Sequence, residues 1–307
     1  MGGIHTVAGR DARVDGRKGG VLGAPRAGVG IAGATPQFSL AHLTLLRCAP
    51  PELTEIAARA GYDFVSLRAI GMGNPGEPMY PLASDAQLLR RTRAALAATG
   101  LRVLDIELAR IQADADVSRY RPALECAAEL GARHVLTSAW CAGRDYVLEQ
   151  FIKLCELARP LGLTVDFEFV TFTPFATLQQ AADLVASSGC DNAGLCIDTL
   201  HFDRSRQHAG ELAGLPRNWF HYAQICDGPE QYSREVDQLK YVAREARLFV
   251  GEGGIDVPGI LAQLPPMPYS IELPNARRLA ELGPEAFARR CLTTARQALT
   301  AAALPAG

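Results

Sequence analysis

From Phe38 onward, short runs of β-forming residues alternate with longer helical patterns, and the alternation recurs eight times. The strand-like runs are Phe38–Leu46, Phe64–Arg68, Arg102–Glu107, His134–Ser138, Leu163–Phe169, Ala193–Asp198, Trp219–Cys226 and Tyr269–Leu273. The helices between them carry their own boundary signals. Pro50 and Pro51 open the first, where a fixed φ and a missing N–H are tolerated, and Gly61 closes it. Ser84 caps a second that runs to Thr99, a third ends at Leu130, a fourth covers Asp145–Leu161 and a fifth Thr177–Ser187. Strands separated by helices predict a parallel sheet, because each return needs a crossover. Eight repeats favour closure into an α/β TIM (β/α)8 barrel, and no Gly-rich dinucleotide fingerprint follows the first strand to support an open Rossmann sheet. The seventh connection is long. Tyr232–Glu245 reads as a lid, Val257–Leu264 as a short helix, and Pro284–Ala298 as the terminal helix.

Residues 1–37 differ in texture: they are rich in Gly, Ala and Arg and lack apolar periodicity. They read as a flexible N-terminal extension ahead of a single barrel domain spanning 38–307. No run of eighteen uninterrupted apolar residues suggests a membrane span, and a net charge of −2 gives no support to nucleic-acid binding. The eight cysteines form no C-x-x-C pair and mostly sit in apolar runs, where cysteine acts as a small hydrophobe. A reducing cytoplasm is the expected home.

Barrel enzymes gather their chemistry at the C-terminal ends of the strands. There the chain repeatedly places a residue that is expensive to bury: Glu168 after the fifth strand, Asp198 after the sixth, Gln224 in the seventh and Glu272 in the eighth. Three crowded carboxylates would raise one another's proton affinity unless a cation sat among them. Oxygen donors of this kind suit one Mg²⁺ or Mn²⁺ ion and also admit Zn²⁺ or Co²⁺. Taken singly, each residue is equally well a salt-bridge partner or a loop cap; four on successive strands favour the ion. His201, three residues beyond Asp198, is placed to exchange a proton with a bound substrate, or else packs on the barrel rim. His221 opens the seventh strand, nearer the bottom, and reads as structural. Arg68, Arg244 and Arg247 are candidate grips for a carboxylate, phosphate or enolate oxygen. Glu107, at the end of the third strand, is a candidate polar wall of the substrate site, paired with Arg110.

With these residues in view, the chain from Phe38 onward resembles the xylose-isomerase-like TIM barrel superfamily, which includes sugar phosphate isomerases and epimerases. The landmarks are Glu168 in Val165-Asp166-Phe167-Glu168-Phe169, Asp198-Thr199-Leu200-His201, Gln224 in Tyr222-Ala223-Gln224-Ile225-Cys226-Asp227, Gly251-Glu252-Gly253 before Ile255-Asp256, and Ile271-Glu272-Leu273-Pro274. The resemblance implies Glu168, Asp198, Gln224 and Glu272 as metal ligands and His201 as the substrate-facing histidine. Many epimerases have histidine where this chain has Gln224. Bacterial 3-dehydroshikimate dehydratases resemble it in using glutamine, with an arginine, here Arg247, before the Gly-Glu-Gly segment. Leu248-Phe249-Val250 departs from the proline-containing approach common before that segment. The extra histidines of the type IV endonucleases are missing from the sequence.

The implied activity is a divalent-metal-dependent isomerisation or epimerisation of a keto-sugar or cyclitol through an enediolate, with Glu168 and Glu272 exchanging the proton. The alternative is 3-dehydroshikimate dehydratase or a related dehydratase, in which His201 protonates the departing hydroxyl. A third reading is a non-catalytic barrel partner subunit. The expected substrate is a small polyhydroxylated keto compound, with or without a carboxylate. The sequence identifies no surface for self-association into a homo-oligomer.

Overall fold

The computed structural model describes residues 1–3, 35–74 and 76–303. Most of the expected extension over 1–37 therefore lies outside the described residues. Nine short strands run β1 Phe38–Leu40, β2 Phe64–Leu67, β3 Arg102–Ile111, β4 His134–Ala139, β5 Thr164–Phe167, β6 Ala193–Leu195, β7 Ile197–Asp198, β8 Ala223–Ile225 and β9 Tyr269–Ile271. Every pairing is parallel, in the order β6-β5-β4-β3-β2-β1-β9-β8-β7. Only Cys196 separates β6 from β7, so the two ends of the ladder are one interrupted strand and the sheet returns on itself. The result is the TIM barrel that the alternation predicts.

The helices are α1 Pro50–Ala60, α2 Ala86–Thr99, α3 Arg121–Glu129, α4 Arg144–Ala158, α5 Leu178–Ser188, α6 Thr199–Arg204, α7 Gly210–Ala213, α8 Val236–Glu245, α9 Val257–Leu261, α10 Ala276–Leu282 and α11 Pro284–Ala303. Several boundaries differ from the sequence reading, four of them near functional or capping residues. The first strand stops at Leu40, because His42–Leu45 turns into a 3₁₀ helix. The second helix is capped by Asp85 rather than Ser84; its carboxylate accepts from the backbone N–H of Gln87 and Leu88. The third strand runs past Glu107 to Ile111, with its register shifting between Ile106 and Ala109. Trp219 lies in a 3₁₀ turn ahead of β8.

Successive strand residues point to opposite faces, and this pleat decides what enters the barrel. Val65, Leu67, Val135, Val165, Phe167, Leu195, Ile197, Ile225 and Ile271 face outward into the main apolar core beneath the helices. Phe64, Leu104, Leu136, Cys196 and Tyr222 form the smaller cluster inside. On the same inner rows lie Ser66 and Arg68 on strand two, Asp166 and Glu168 on strand five, Gln224 after Tyr222, and Glu272 after Ser270. Polar groups thus run along the barrel axis, and the longest acidic and basic side chains gather at its C-terminal mouth.

At the opposite end, His221 Nδ1 lies 2.5 Å from Asp166 and stacks on His134 with ring centroids 5.4 Å apart. Thr164 donates its hydroxyl to Asp166 at 2.7 Å. Burial opposes charge on His221, but the Asp166 carboxylate wins and raises its pKa above the ordinary value. Ligand atoms of His134, Asp166 and His221 come within 4.8 Å of one another. The two imidazoles are only 14° from parallel, and their Nδ1 atoms are already engaged, His221 with Asp166 Oδ1 at 2.5 Å and His134 with Thr164 Oγ1 at 2.8 Å. We therefore read this group as a charge pair, consistent with a structural role for His221. Gly194 makes room for it: a Cβ there would overlap the Asp166 carboxylate and the His221 ring.

All eight cysteines are free, seven of them buried and Cys190 half-buried. Among the described residues no helix is long and apolar enough to cross a membrane.

Candidate metal centre and active site

Glu168 follows β5 directly and stays tied to the sheet through its backbone N–H to Thr137 O at 2.8 Å. Asp198 ends β7 and caps α6, accepting the His201 N–H at 3.0 Å. Glu272 follows β9, anchored by its N–H to Ile225 O at 3.2 Å. Strand geometry therefore aims three carboxylates at one point, and their ligand atoms all lie within 4.8 Å of one another, buried. Gln224, on β8, donates its amide N–H to Glu272 Oε1 at 3.0 Å, while its carbonyl meets the Cys196 thiol at 3.6 Å. It is adjacent to the cluster, but with nitrogen foremost.

A buried arginine stands beside this point. Arg247 Nη1 is 2.5 Å from Asp198 and Nη2 is 2.8 Å from Glu272. The same guanidinium donates to Glu272 O at 3.2 Å and, through Nε, to Ala243 O at 2.9 Å. Burial pushes the Asp198 pKa upward, yet the neighbouring Arg247 charge holds it below the usual carboxylate value. Burial dominates at Glu272, raising it to about 7 against the pull of Arg247. Glu168 is pushed well above its ordinary range by burial and by the charges of Glu272 and Asp198. Among the described residues its carboxylate has no hydrogen-bond partner.

Arg68 serves a second cluster on the other wall. Its guanidinium reaches Glu77 and Glu107 at 2.8 Å each, all three groups being nearly or fully buried. Glu107 thus pairs with Arg68 and not with Arg110. The register shift in β3 turns Glu107 toward strand two, whereas Arg110 bonds Met72 O and lies over Trp140. His42, which sequence reasoning placed in the first strand without a role, holds this corner together. Its Nδ1 accepts the Arg68 N–H at 2.9 Å, so Nε2 carries the proton donated to Cys48 O, also 2.9 Å away. Its own backbone N–H binds Glu107 Oε1 at 3.1 Å. Burial and then the Arg68 charge lower His42 to about 4, although its hydrogen bond with Cys48 works the other way, so it stays neutral.

Asp227 was also missed. It takes backbone N–H bonds from Gly228, Gly251, Gly253 and Ile255, at 2.8, 3.0, 2.9 and 3.0 Å. The Gly251-Glu252-Gly253-Gly254 segment is folded around this carboxylate, and no side chain fits at Gly253, where a Cβ would overlap Gly228 O. Asp227 also bridges Leu248 through the backbone, which fixes where Arg247 enters the barrel. An acid just beyond a strand and before a glycine is a visible signal; its four partners are not. Glu252 points away, toward Arg278 and Arg290.

Glu168 and Glu272 open into a cavity of about 520 Å³, lined also by Arg68, Glu107, His201 and Arg247, with Asp198 buried behind them. This is ample for a sugar-sized molecule. His201 is buried, with Nδ1 3.1 Å from Thr171 Oγ1 and its ring edge-on to Phe172. Burial lowers it to about 4 despite the Asp198 charge, leaving a neutral imidazole. Trp140 and Phe172 line the same wall, and Arg244 the rim.

Hard oxygen donors converge here on a single point, and one of them, Glu168, is a nearly buried carboxylate without a donor. Such a group is costly to keep ionised unless a cation joins it. The residues present therefore fit a divalent metal.

The chain matches the family model described as xylose isomerase-like TIM barrel over residues 54–291. A 3-dehydroshikimate dehydratase of Pseudomonas aeruginosa is 28% identical over 240 residues, covering 74% of this chain and 35% of the relative. An inosose isomerase of Bacillus velezensis is 24% identical over 163 residues, covering 48% of this chain and 54% of the relative. The matches thus span about half or less of these relatives. Among solved structures, the IolI protein with a zinc atom superposes with a TM-score of 0.71 at 18% identity, covering 86% of this chain and 98% of that one. D-Allulose 3-epimerase from Methylomonas sp. gives 0.61 at 17% identity, over 85% and 96%. With the barrel closed and the carboxylates at its C-terminal mouth, the chain belongs to the xylose isomerase-like TIM barrel family.

Proposed function

We propose that this protein is a divalent-metal-dependent isomerase or epimerase acting on a keto-sugar or cyclitol. The observation that carries the reading is the buried convergence of Glu168, Asp198 and Glu272 within 4.8 Å, with Glu168 and Glu272 lining an open cavity. These three would hold the ion, and Gln224, bonded to Glu272, would supply a fourth donor through its side-chain oxygen. Mg²⁺ or Mn²⁺ suits such donors best. When bound, the ion supplies Lewis acidity that acidifies the carbon beside a substrate carbonyl.

The protein's own groups do the rest. Glu168 and Glu272 face the cavity from separate strands, so one removes the proton and the other returns it on another face or carbon. His201, neutral and held at Nδ1 by Thr171, hydrogen-bonds a substrate oxygen. Arg68 and Glu107 form a paired polar wall for hydroxyl groups, and Arg247 steadies Asp198 and Glu272 while facing the bound molecule.

The second reading is a 3-dehydroshikimate dehydratase or related dehydratase. It is supported by the match to such an enzyme across 74% of the chain. Both reactions begin with the same proton abstraction, and they part over whether a β-hydroxyl leaves. Mn²⁺-supplemented protein is to be incubated with keto-sugars, inososes and 3-dehydroshikimate, and the products followed by mass spectrometry and NMR in D₂O. Isomerisation leaves the heavy-atom composition unchanged and introduces solvent deuterium, whereas dehydration removes one water. No divalent-ion binding and no turnover with any of these would refute the metal-enzyme reading.

A further inference from the structure

The positive charges at the cavity are not equivalent. Arg68 faces two carboxylates and Arg247 two more, so both guanidinium groups are neutralised within the protein. Arg244, at the end of α8, is different. It lines the cavity, is exposed to it, and makes no ion pair or hydrogen bond among the described residues. Its guanidinium lies 5.9 Å from the ring centroids of both Trp140 and Phe172, which meet edge to face at 6.1 Å.

Trp140 has a second cation. The Arg110 guanidinium stands 5.4 Å from the same ring. Burial, together with the nearby charges of Arg119 and Arg244, lowers the Arg110 pKa, although Tyr120 and Glu77 oppose this. Arg110 has no ion pair among the described residues, and Arg119 is bonded to the neutral Gln112 and Tyr120. Glu77 is engaged by Arg68 and Asn74. Glu245, beside Arg244 on the rim, pairs with neither arginine. Uncompensated like charges around one aromatic group lack only an anion, and aromatic faces hold a guanidinium in place without neutralising it.

We propose that Arg244, seated on the Trp140–Phe172 wall beside Arg110, receives an oxyanion substituent on the substrate, a carboxylate or a phosphate. This deepens the proposed function and rests on it for the location of the substrate. It places the charged end of the molecule at the rim and the keto group over the carboxylates. His201 lines the same cavity, in edge contact with Phe172.

The experiment uses W219F protein, in which Trp140 is the remaining indole of the two in the chain. Fluorescence is titrated with quinate, myo-inositol 1-phosphate and neutral myo-inositol, with and without Mn²⁺. At least one anion is expected to bind roughly tenfold more tightly than the neutral polyol, as a charge-assisted contact implies. R244Q should erase that ratio, R244K should keep part of it, and R234Q at another exposed position should leave it intact. Which anion wins identifies the substituent. Equal binding of the neutral polyol, no binding of either anion, or an unchanged ratio in R244Q would overturn the proposal. Turnover is scored separately on the unaltered protein, so failure to isomerise any substrate counts against the enzyme reading alone.

Discussion

Replacing Arg247 with methionine tests how the centre is built. Methionine fills much of the same space but removes the cation that sits 2.5 Å from Asp198 and 2.8 Å from Glu272. Breaking a buried pair leaves an uncompensated charge and costs about 3–5 kcal/mol. Loss of the Nε–Ala243 hydrogen bond adds about 1 kcal/mol. In EDTA, R247M should therefore be destabilised by roughly 4–6 kcal/mol, measured by urea unfolding. A divalent ion among the same carboxylates compensates them directly, and it no longer meets a like charge beside it. At 100 times its Kd an ion stabilises a protein by about 2.7 kcal/mol. Mn²⁺ should stabilise R247M by at least about 1.4 kcal/mol more than wild type, equivalent to tenfold tighter binding. Free Mn²⁺ in the EPR spectrum gives the affinity independently. A destabilisation below about 1 kcal/mol in EDTA, or equal Mn²⁺ increments in both proteins, would refute the reasoning.

Further outcomes follow from the other clusters. D227N keeps the size of Asp227 but turns an NH₂ toward backbone N–H groups; urea unfolding should show a loss of about 3 kcal/mol, and no loss would remove the carboxylate as the organiser of the 251–255 segment. The His221–Asp166 pair has a definite pH sign: because folding raises the His221 pKa, its stabilisation is complete below the unfolded value near 6.5 and fades as pH rises through the folded value. H221Q should thus lose about 1–2 kcal/mol near pH 6 and less near pH 9, and a gap that widens with pH would contradict the pairing. G194A should unfold at lower urea than wild type, since its methyl group displaces the same pair, and an unchanged midpoint would show that the ring moves freely. E272Q loaded with Mn²⁺ should lose solvent deuterium incorporation into substrate, while exchange at the wild-type rate would remove Glu272 from proton transfer.

Much of the barrel was legible because its signals are local. Pro50 and Pro51 start α1 and Gly61 ends it as expected, and the Thr177 capping box opens α5. Short β-forming runs between helical patterns located the middles of the strands. Their ends were less visible: His42–Leu45 has strand-like composition, but a turn there buries His42 against Glu107 and Arg68. A short-range pattern does not register a contact made 65 residues away.

By itself the sequence determined which residues sit at the strand ends, and hence that Glu168, Asp198 and Glu272 share a mouth, because the pleat and the repeat dictate both. Only the tertiary structure decided who neutralises whom: that Glu107 meets Arg68, that Arg247 enters between Asp198 and Glu272, that Gln224 turns its nitrogen to Glu272, and that Arg244 meets no acid among the described residues. Pairing depends on distances of about 3 Å between side chains from different strands, and a shifted register in β3 is enough to exchange one partner for another.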